Sequence, residues 1–416
     1  MKTFIRSLLP EPILQAYHFV LAYAGAVLYG FPSRKLIVIA VTGTKGKSST
    51  VELVAEMLRA SGKEVASIST IRFSIIDKHE RNLYKMTTPG RFFLQRFLSR
   101  AVGAGCTHAV IELTSEGALQ YRHKGVALDA LVFTNLQPEH LERHGGFEAY
   151  AAAKLSLAKH LERSPKRPRI IVANADDAYG QKFLETKVEV RAPFSLKDAE
   201  PYTADDTGAR FVWRGTLFSV PLPGIFNLYN CLAALAIGEV LGLKVEDMQR
   251  GLEHTSVIPG RAERIECGQP FTVVVDYAHT PDSLKALYET YKNKKIIAVL
   301  GNTGGGRDTW KRPQMGALAD ESAALAILTN EDPYDEDPKK IITEMAAGFK
   351  KQTPKIILDR RAAIATALKG ATSASDAVLI TGKGTDPYLM GARGTKQEWS
   401  DVAVAREELA KLGYTK

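Results

Sequence analysis

The sequence predicts an α/β protein with two domains, each built on a mostly parallel sheet, the second of them Rossmann-like. Three observations lead to this prediction. A strand, a glycine-rich turn and a helix follow one another from Leu36 to Arg59. Strand-like and helix-like segments alternate from there, which is typical of parallel strands joined by helices. The alternation stops at the stretch 258–261, Ile-Pro-Gly-Arg, and a second alternation follows it.

The length of the chain sets the number of domains. A chain of 416 residues is too long for one compact core. We therefore predict an apolar helical segment at 1–35, a central domain at 36–258 and a C-terminal domain at 259–416. The hydrophobic content of 45% and the charged content of 24% are those of a globular protein.

Cysteine spacing and charge exclude several classes of protein. The cysteines at 106, 231 and 267 form no closely spaced pair, so neither a disulfide framework nor a zinc site is indicated. The net charge is +9, but the basic residues are scattered and are not interleaved with aromatic residues. We therefore expect no nucleic-acid partner, and a reducing compartment fits the cysteines.

The first element is an uncharged segment from Ile13 to Phe31, with Lys2 and Arg6 before it and Arg34 and Lys35 after it. As a helix it would be roughly 28 Å long, near the lower limit for crossing a bilayer. Three alternatives stay open: a helix packed on the protein body, a helix at a membrane interface and a membrane-spanning helix. A cleaved signal peptide does not fit, because a phosphate-binding loop follows within about a dozen residues. We expect a cytoplasmic protein, at the inner face of the membrane if the helix is interfacial.

The second element is the turn Gly-Thr-Lys-Gly-Lys-Ser, which begins at Gly43. Gly43 and Gly46 let backbone N–H groups converge on phosphate oxygens, and Lys47 can neutralise the terminal phosphates. The Ser48 hydroxyl can ligate Mg²⁺ at a helix N-terminus, which itself favours anions. The common P-loop spacing has glycine at the position of Val41, so this is a shortened G-T-x-G-K-[ST] loop. ATP binding is the leading interpretation.

The remaining elements follow in the order that the alternation gives. Strands and helices of the central domain are predicted at 65–69, 92–102, 108–113, 130–134, 150–161 and 170–173. The stretch 191–221 is typical of a small antiparallel insertion or edge, and a helix is predicted at 230–243. Strands of the C-terminal domain are predicted at 272–276, 295–300, 324–329, 355–358 and 377–381.

Acidic and histidine residues at strand ends are the candidate metal ligands. Glu112 ends the apolar strand at 108–113, and His140 follows the strand at 131–133. Parallel α/β sheets gather their ligands beyond the carboxyl ends of the strands, which favours both residues. A buried or capping role for Glu112 and a structural role for His140 are the alternatives. Lys154, on the next helix, would by itself be interpreted as a solvated surface lysine.

These residues belong to a longer series of motifs that resembles the Mur ligase family, and within it the enzymes that add the third residue of the peptidoglycan stem peptide. The resemblance covers roughly residues 36–416, and the motifs stand in family order. They are the phosphate loop, Glu112, the stretches 134–140, 144–145, 149–155, 174–177, 223–227 and 259–261, Asn230, and Asp-Tyr-Ala-His-Thr-Pro at 276–281.

The resemblance implies an ATP-dependent amide ligase. In this family a substrate carboxylate attacks the γ-phosphate of ATP, and an amine then attacks the acyl phosphate to give an amide, ADP and phosphate. Mg²⁺ and Lys47 would offset the repulsion between the two anions. Ser48 and Glu112 would hold one Mg²⁺ ion, and His140 would serve a second. Lys154 would be the lysine that the family carbamylates.

The resemblance also implies the nucleotide contacts. Asn227 and Asn230 would contact adenine. Arg261 and Asp276 would contact the ribose, and His279 would lie near the phosphates. The phosphate loop would contribute Gly43, Thr44, Lys45, Gly46, Lys47, Ser48 and Ser49.

On the substrate side, the resemblance implies a muramyl-peptide acceptor and an incoming amino acid. Arg307 would hold the carboxylate of that amino acid by bidentate pairing. The acceptor would be contacted by Thr87, Thr88, Ser115, Gln120 and Arg122.

Two stretches depart from the family members that add diaminopimelate. Their Asp-Asn-Pro-Arg motif is replaced by Glu331, Asp332, proline and Tyr334, so the arginine is missing. Their Gly-Lys-Gly-His-Glu motif begins here at Gly382 and ends in threonine and Asp386. We expect these residues to line the pocket for the distal end of the amino acid. Diaminopimelate is therefore disfavoured, and lysine or another amine fits better.

A further departure concerns the carrier of the acceptor. Family members begin with a domain of about a hundred residues that binds the uridine diphosphate moiety, and no such domain fits before Gly43. We therefore expect an acceptor that is either UDP-linked and held mainly by the central domain, or lipid-linked and reached from the membrane surface through residues 13–31. The protein is expected to be a monomer.

Two other functions stay open. A folylpolyglutamate synthetase-like ligase would share the phosphate loop and the two-domain plan. A nucleotide-binding partner protein without ligase activity would share them as well, yet it predicts damaged catalytic positions. Lys47, Glu112, His140, Lys154 and His279 are all present, and the Asp-Tyr-Ala-His-Thr-Pro motif favours the muramyl ligases.

Overall fold

The computed structural model describes residues 11–139, 141–306 and 308–415. The chain divides into two compact units. The first takes in the chain up to Tyr202 with Phe211–Phe218 and Asn227–Thr255, and the second takes in Thr203–Arg210, Ser219–Phe226 and the chain from Ser256. The predicted segments 1–35, 36–258 and 259–416 stay a prediction.

An eight-stranded sheet forms the centre of the first unit, counted over the described residues. Its strands are β1 (Ile37–Thr42), β2 (Val65–Ile68), β3 (Arg72–Ile75), β4 (Lys78–Arg81), β5 (His108–Glu112), β6 (Ala130–Phe133), β7 (Ile170–Asn174) and β8 (Val190–Phe194). They lie in the order β4-β3-β2-β5-β1-β6-β7-β8. All neighbours pair in parallel except β2 with β3 and β3 with β4. The predicted fold class is confirmed here, and the carboxyl ends of β5, β1 and β6 lie side by side.

Helices connect these strands and complete the hydrophobic core. Leu98 and Leu157, from two of the helices, are fully buried against Leu131 of β6 and its neighbours. The helices of the first unit are α1 (Glu11–Leu28), α2 (Lys47–Ala60), α3 (Arg91–Gly103), α4 (Ser115–Leu119), α5 (Leu141–His144), α6 (Phe147–Glu162), α7 (Gly180–Leu184), α8 (Ile225–Val240) and α9 (Val245–Glu253).

Two predicted boundaries are wrong. The insertion predicted from residue 191 begins later, because β8 pairs in parallel with β7 and closes the edge of the main sheet. Its alternating exposure, typical of an edge strand, explains the error. A separate three-stranded sheet follows, formed by β9 (Tyr202–Ala204), β10 (Ala209–Trp213) and β11 (Thr216–Val220). The helix predicted at 230–243 is α8, which already begins at Ile225 and ends at Val240.

A six-stranded sheet forms the centre of the second unit, again counted over the described residues. Its strands are β12 (Glu263–Arg264), β13 (Thr272–Asp276), β14 (Lys295–Leu300), β15 (Leu325–Leu328), β16 (Lys355–Ile356) and β17 (Asp376–Thr381). Their order is β12-β13-β17-β14-β15-β16, and only β12 pairs antiparallel within this described sheet. The other elements are α10 (Pro281–Thr290), α11 (Lys311–Ser322), α12 (Pro338–Ala346), α13 (Arg360–Gly370), α14 (Asp401–Lys411) and the hairpin of β18 (Tyr388–Met390) and β19 (Lys396–Glu398).

Local sequence signals explain where helices of the second unit begin. Thr280 precedes α10, its hydroxyl accepts a hydrogen bond from the Ser283 amide at 3.4 Å, and Pro281 fills the first helical position. Asp359 precedes α13 and accepts a hydrogen bond from the Ala362 amide at 2.7 Å. Both caps satisfy amides that have no acceptor inside the helix.

The N-terminal helix α1 packs against α3 along one face. His18, Ala22 and Ala26 are buried on that face. Gly125, in the segment after α4, also lets α1 approach closely, since a Cβ there would lie 2.7 Å from the Cβ of Ala26. The structure shows α1 packed on the protein body through this face, with its opposite face exposed. Contact of that exposed face with a membrane interface stays a prediction. No helix in residues 11–139, 141–306 and 308–415 combines the length and apolar character that crossing a bilayer requires.

Candidate active site

The phosphate loop lies between β1 and α2 and depends on its two glycines. Gly43 has φ +150° and Gly46 has φ +81°, a region that side chains with a Cβ rarely adopt. A Cβ on Gly43 would lie 2.0 Å from Thr134 Oγ1, and a Cβ on Gly46 would lie 2.3 Å from Asn230 Oδ1. The loop is therefore enclosed on two sides, and no larger residue fits at either position.

Side chains hold three consecutive carbonyl groups of the loop. The Gly43 oxygen accepts a hydrogen bond from Lys154 Nζ at 2.5 Å, and the Thr44 oxygen accepts one from Lys47 Nζ at 2.8 Å. The Lys45 oxygen accepts a hydrogen bond from Thr134 Oγ1 at 2.7 Å. Helix α2 begins directly afterwards, and the amides of its first turn have no acceptor inside the helix. This geometry suits the binding of phosphate groups at the helix N-terminus.

Ser48 and Glu112 meet at the mouth of the loop. Ser48 Oγ donates to Glu112 Oε2 at 2.8 Å, although the two residues are far apart in sequence. Lys47 Nζ lies 3.9 Å from Glu112 Oε1, and both carboxylate and hydroxyl are buried. The two predicted metal ligands therefore meet because β1 and β5 are parallel neighbours whose carboxyl ends lie side by side.

The chemistry of this pair fits Mg²⁺, which takes hard oxygen ligands such as hydroxyl and carboxylate groups. His140, the third predicted metal ligand, lies outside the described residues. Within the part of the chain that the structure describes, no group of three or more His, Cys, Asp and Glu side chains is arranged to hold a metal ion.

Lys154 of α6 is buried, contrary to what its sequence context alone indicates. Only 1% of the residue is exposed, and Nζ lies 4.8 Å from the centre of the Tyr150 ring in addition to its hydrogen bond with Gly43. Burial and the positive charge of Lys47 hold the pKa of the Lys154 amine well below its usual range. A lower pKa increases the neutral fraction of this amine relative to that of an exposed lysine at the same pH.

Several residues of the site were not identified from the sequence. Asn135, just beyond β6, accepts a hydrogen bond from the Lys45 amide through its side chain at 2.9 Å. Glu139 pairs with Lys45 Nζ at 2.8 Å, and Tyr150 Oη lies 3.0 Å from Thr44 Oγ1. Asn135 and Glu139 follow a strand end, so the rule that selected His140 could have found them.

The predicted acceptor residues form one cluster beside Glu112. Thr88 Oγ1 donates to the Glu112 backbone oxygen at 2.9 Å. Thr87 Oγ1 lies 2.8 Å from Thr70 Oγ1, which lies 3.1 Å from Glu112 Oε2. Thr70 was not predicted, although it closely follows the carboxyl end of β2. Hydrogen bonds therefore connect the acceptor side of the site to the metal pair.

Gln120, Arg122 and Ser115 complete this cluster. Arg122 Nη2 donates to Gln120 Oε1 at 2.7 Å, and Arg122 Nη1 donates to the backbone oxygen of Thr88. Ser115 is buried at the start of α4, where the Thr114 hydroxyl accepts a hydrogen bond from the Gly117 amide. The guanidinium of Arg122 thus fixes the relative positions of two predicted acceptor contacts.

Asn227 and Asn230, the predicted adenine contacts, lie one helical turn apart on α8. Asn230 Nδ2 donates to Asn227 Oδ1 at 3.2 Å, and both side chains are buried. Asn230 also lies against Gly46, as described above. Ser49 is buried in the first turn of α2. These residues therefore lie at the phosphate loop, within the first unit.

The predicted ribose and phosphate contacts of the second unit also lie together. The two carboxylate oxygens of Asp276 accept hydrogen bonds from the Ala262 and Ala278 amides, each at 2.6 Å. The guanidinium of Arg261 lies 4.5 Å from the centre of the Tyr277 ring. His279 stacks edge-on against the same ring, with centroids 4.7 Å apart. Arg261 and His279 thus both contact the ring of Tyr277, the residue that follows Asp276.

The predicted amino-acid pocket is rich in buried carboxylates. Lys383 Nζ donates to Asp332 Oδ1 at 2.8 Å and to Asp386 Oδ2 at 2.9 Å. Glu331 Oε1 accepts a hydrogen bond from Thr303 Oγ1 at 2.8 Å, whereas Oε2 is buried without a hydrogen-bond partner among the described residues. Burial raises the pKa of the Glu331 carboxyl, although Lys383 acts in the opposite direction.

Gly382 allows Glu331 to occupy this position. A Cβ on Gly382 would lie 2.2 Å from Glu331 Oε2, and its φ is +105°. Four of the predicted pocket residues, Glu331, Asp332, Gly382 and Asp386, are therefore close together. Arg307, the predicted contact for the amino-acid carboxylate, lies outside the described residues.

Two family models match the sequence and together cover most of it. The Mur ligase middle domain matches residues 41–238, and the Mur ligase, glutamate ligase domain matches residues 260–384. Among relatives, the chain is 36% identical to a UDP-N-acetylmuramyl-tripeptide synthetase of Roseiflexus sp. (strain RS-1). That match covers 97% of this chain and 85% of the relative.

Solved structures agree with this result. A UDP-N-acetylmuramoyl-L-alanyl-D-glutamate–2,6-diaminopimelate ligase superposes with a TM-score of 0.62 at 31% identity, covering 91% of this chain and 79% of that one. A folylpolyglutamate synthase of Mycobacterium tuberculosis superposes with a TM-score of 0.72 at 17% identity, covering 88% and 93%. The second likeness shows a shared fold alone. The predicted fold class of both domains is confirmed.

Proposed function

The chain belongs to the Mur ligase family, whose members are ATP-dependent amide ligases, and from this premise we propose that it joins an amino acid to the carboxylate of a muramyl-peptide acceptor during peptidoglycan precursor synthesis. The observation that carries the proposal is the contact of Ser48 with Glu112 at the mouth of the phosphate loop. A metal-binding pair at this place brings a cation to the point where two anions must react.

The reaction would proceed in two displacements. The acceptor carboxylate forms a bond to the γ-phosphorus of ATP while the bond to the β,γ-bridging oxygen breaks, which gives an acyl phosphate and ADP. The amine of the amino acid then attacks the acyl carbon, phosphate leaves, and the nitrogen loses a proton. Lys47 and the amides at the start of α2 would stabilise charge on the phosphate. Closing the site against water would protect the acyl phosphate from hydrolysis.

Metal binding would rest on Ser48 and Glu112, with His140 serving a second Mg²⁺ ion. Mg²⁺ would offset the repulsion between the carboxylate and the phosphate. We also propose that Lys154 is carbamylated, because its neutral amine is the form that reacts with carbon dioxide. Carbamylation would convert a buried amine into an anion and release one proton. The product could ligate the metal through oxygen.

For the other contacts we propose the roles that the family resemblance implies. The acceptor would be bound by the cluster of Thr87, Thr88, Ser115, Gln120 and Arg122 and would be UDP-linked or lipid-linked. We place the enzyme in the cytoplasm, with residues 13–31 as a peripheral membrane contact. The nucleotide would be contacted by Asn227, Asn230, Arg261, Asp276 and His279, and the carboxylate of the amino acid by Arg307.

Purified protein is expected to release phosphate from ATP only when an acceptor and an amino acid are both present. The measurement is phosphate release and amide formation across a panel of muramyl acceptors and amino acids. An acceptor whose reacting carboxylate is amidated serves as the matched control and should give no phosphate. Glutamate addition to a folate would instead support the folylpolyglutamate synthetase-like alternative. Nucleotide binding without any amide product would support the non-catalytic partner.

We further propose that the added amino acid carries a distal cation, as lysine does. In the motif that the resemblance assigns to family members adding diaminopimelate, Tyr334 replaces the arginine. Instead, Glu331 presents a buried carboxylate oxygen without a partner among the described residues. Lys383 is already engaged by Asp332 and Asp386. A distal ammonium group would satisfy the remaining carboxylate, whereas a distal carboxylate would be repelled.

Replacing Glu331 by glutamine is expected to weaken the apparent affinity for the cationic amino acid about 10- to 100-fold, the usual contribution of a buried charged hydrogen bond. The pH dependence has a definite sign. The ionised carboxylate binds the ammonium group, so in the parent enzyme the affinity rises as pH rises through the raised pKa of Glu331. In Glu331→Gln this rise should vanish.

The KM for lysine, measured against pH in the parent and the variant, tests this assignment. Glu336→Gln is the control on the same stretch. Glu336 pairs with Arg312 at 2.7 Å and does not belong to the group of carboxylates around Lys383. Equal KM values for Glu331→Gln and the parent, or a preference for diaminopimelate over lysine, would contradict a cation-binding pocket.

A further inference from the structure

The outer face of α1 is an exposed apolar stripe, defined by Ile13, Tyr17, Val20, Val27 and Leu28. Their exposed fractions are 53%, 55%, 62%, 64% and 67%. At about 100° per residue, these positions fall within a sector of about 100° opposite the face that packs on α3. Tyrosine oxygen is the one side-chain polar atom among these five residues. A contiguous apolar surface of this kind marks an interaction site rather than ordinary surface variation.

The charges in the sequence around the stripe are mostly basic. Apart from Glu11, the first residue of α1, no aspartate or glutamate occurs up to Val51, and none occurs from Asn82 to Ile111. These two segments contain α1 and α3, which pack on each other. Outside the phosphate loop, they carry the basic residues Arg34, Lys35, Lys85, Arg91, Arg96 and Arg100. The apolar stripe is therefore set in a region that complements an anionic partner.

A basic pocket begins at Arg34, six residues after the end of α1. It has a volume of about 420 Å³, and its lining includes Arg34, Lys35, Lys166 and Arg167. Asp129 is the one acidic residue of this lining, and Lys166 neutralises it at 2.6 Å. Arg167 also pairs with an exposed glutamate outside the pocket. The remaining positive charge and the pocket volume suit a phosphate group.

We propose that α1 and the basic pocket together form a docking surface for an anionic phospholipid bilayer. The stripe would insert among the upper acyl chains, with Tyr17 at the polar boundary, and the pocket would take a headgroup phosphate. Neither contribution is strong by itself. An apolar helix face combined with a cluster of basic residues is the arrangement that gives stable peripheral binding.

Helix α1 lies beside the proposed acceptor cluster, which suggests why the enzyme would dock on a membrane. This step rests on the proposed function. Phe19 of α1 meets Tyr121 edge-on, with ring centroids 6.2 Å apart. Tyr121 stands between Gln120 and Arg122, the proposed acceptor contacts. A bilayer under α1 would therefore lie next to the place where the acceptor binds, as a lipid-linked acceptor requires.

Vesicle flotation of the full chain tests the docking surface. The protein is expected to float with vesicles containing phosphatidylglycerol and to remain at the bottom with phosphatidylcholine vesicles. Arg34→Gln with Lys35→Gln should weaken the partition coefficient about 25-fold, the effect of removing two cations near an anionic surface. Val20→Asp with Val27→Asp should weaken it at least tenfold, because charged groups resist insertion. Leu217→Asp, at a residue that is 61% exposed on β11, is the matched control and should float like the parent.

Three results would overturn the docking surface: a parent that does not float, a stripe variant that floats like the parent, or a parent dimer that the stripe variant dissociates. The last result, read from sedimentation, would assign the stripe to a second copy of the chain. Amide formation with a water-soluble acceptor separates this inference from the proposed function. The variants should retain it, and its absence in a parent that floats would count against the function alone.

Discussion

Replacing Lys154 by methionine is expected to lower the rate of amide formation about 100- to 1,000-fold, the usual cost of removing one preorganised charged group from an active site. The amine is buried, and burial together with Lys47 lowers its pKa, which increases the fraction in the neutral form that carbon dioxide requires. Methionine has a similar length but cannot form a carbamate. The loss of activity should therefore be insensitive to added bicarbonate.

The fold should survive this substitution. Methionine loses the hydrogen bond to the Gly43 oxygen, at a cost of about 1 kcal/mol. It also removes an amine whose burial lowers its pKa and therefore destabilises the folded state, increasingly so as pH falls. Removing that amine stabilises the fold. The two effects oppose each other, so we expect the thermal midpoint to stay within about 4 °C of the parent.

Rates measured with and without dissolved carbon dioxide test the carbamate directly. The parent should lose activity on degassing and regain it with bicarbonate, and ¹³C-labelled bicarbonate should give a carbamate signal that Lys154→Met lacks. Lys159→Met is the control, since Lys159 is exposed on the same helix. A parent whose rate is independent of carbon dioxide would sink the carbamylation proposal, even if Lys154→Met is inactive.

Replacing Gly46 by alanine is expected to weaken ATP binding at least tenfold. The alanine Cβ would lie 2.3 Å from Asn230 Oδ1, so either the loop or α8 must shift. A shift of the loop moves the amides that would bind phosphate, and a shift of α8 moves the proposed adenine contacts Asn227 and Asn230. The positive φ of +81° adds a conformational cost of about 1 kcal/mol.

Gly62→Ala separates these two effects. Gly62 has a similar φ of +76° in the same unit, but nothing lies within 4 Å of a Cβ built there. It should lose about the same conformational stability and bind ATP like the parent. Calorimetric titration with ATP and thermal unfolding of both variants provide the comparison. Equal ATP affinities for the two variants would show that the space around Gly46 does not matter for the nucleotide.

The sequence allowed prediction of those site residues whose chemical type and local position along a strand or loop both point to the same role. The phosphate loop could be predicted because strand, glycines and helix are adjacent in the chain. Glu112 could be predicted because the end of a parallel strand is a recognisable position. That Ser48 and Glu112 actually touch depends on the pairing of β1 with β5, which joins distant parts of the chain.

Other features could not be predicted because they arise only from packing. The burial of Lys154 results from how α6 lies against the phosphate loop, and a lysine on a helix carries no local sign of it. The positions of Asn135 and Glu139 after a strand could have been recognised, but their contacts with the backbone and side chain of Lys45 depend on packing that no spacing rule describes. The parallel pairing of β8 with β7 was hidden by its alternating exposure, which is equally typical of an antiparallel strand.

Glu112 Oε2 accepts hydrogen bonds from Ser48 Oγ at 2.8 Å, from the Thr70 amide at 2.8 Å and from Thr70 Oγ1 at 3.1 Å. Thr70 in turn contacts Thr87 on the acceptor side. A cation bound at this oxygen would compete with Thr70 for its lone pairs. The two proposed substrates would thereby be thermodynamically linked: by whatever factor the nucleotide with its metal changes the affinity for the acceptor, the acceptor would change the affinity for the nucleotide by the same factor.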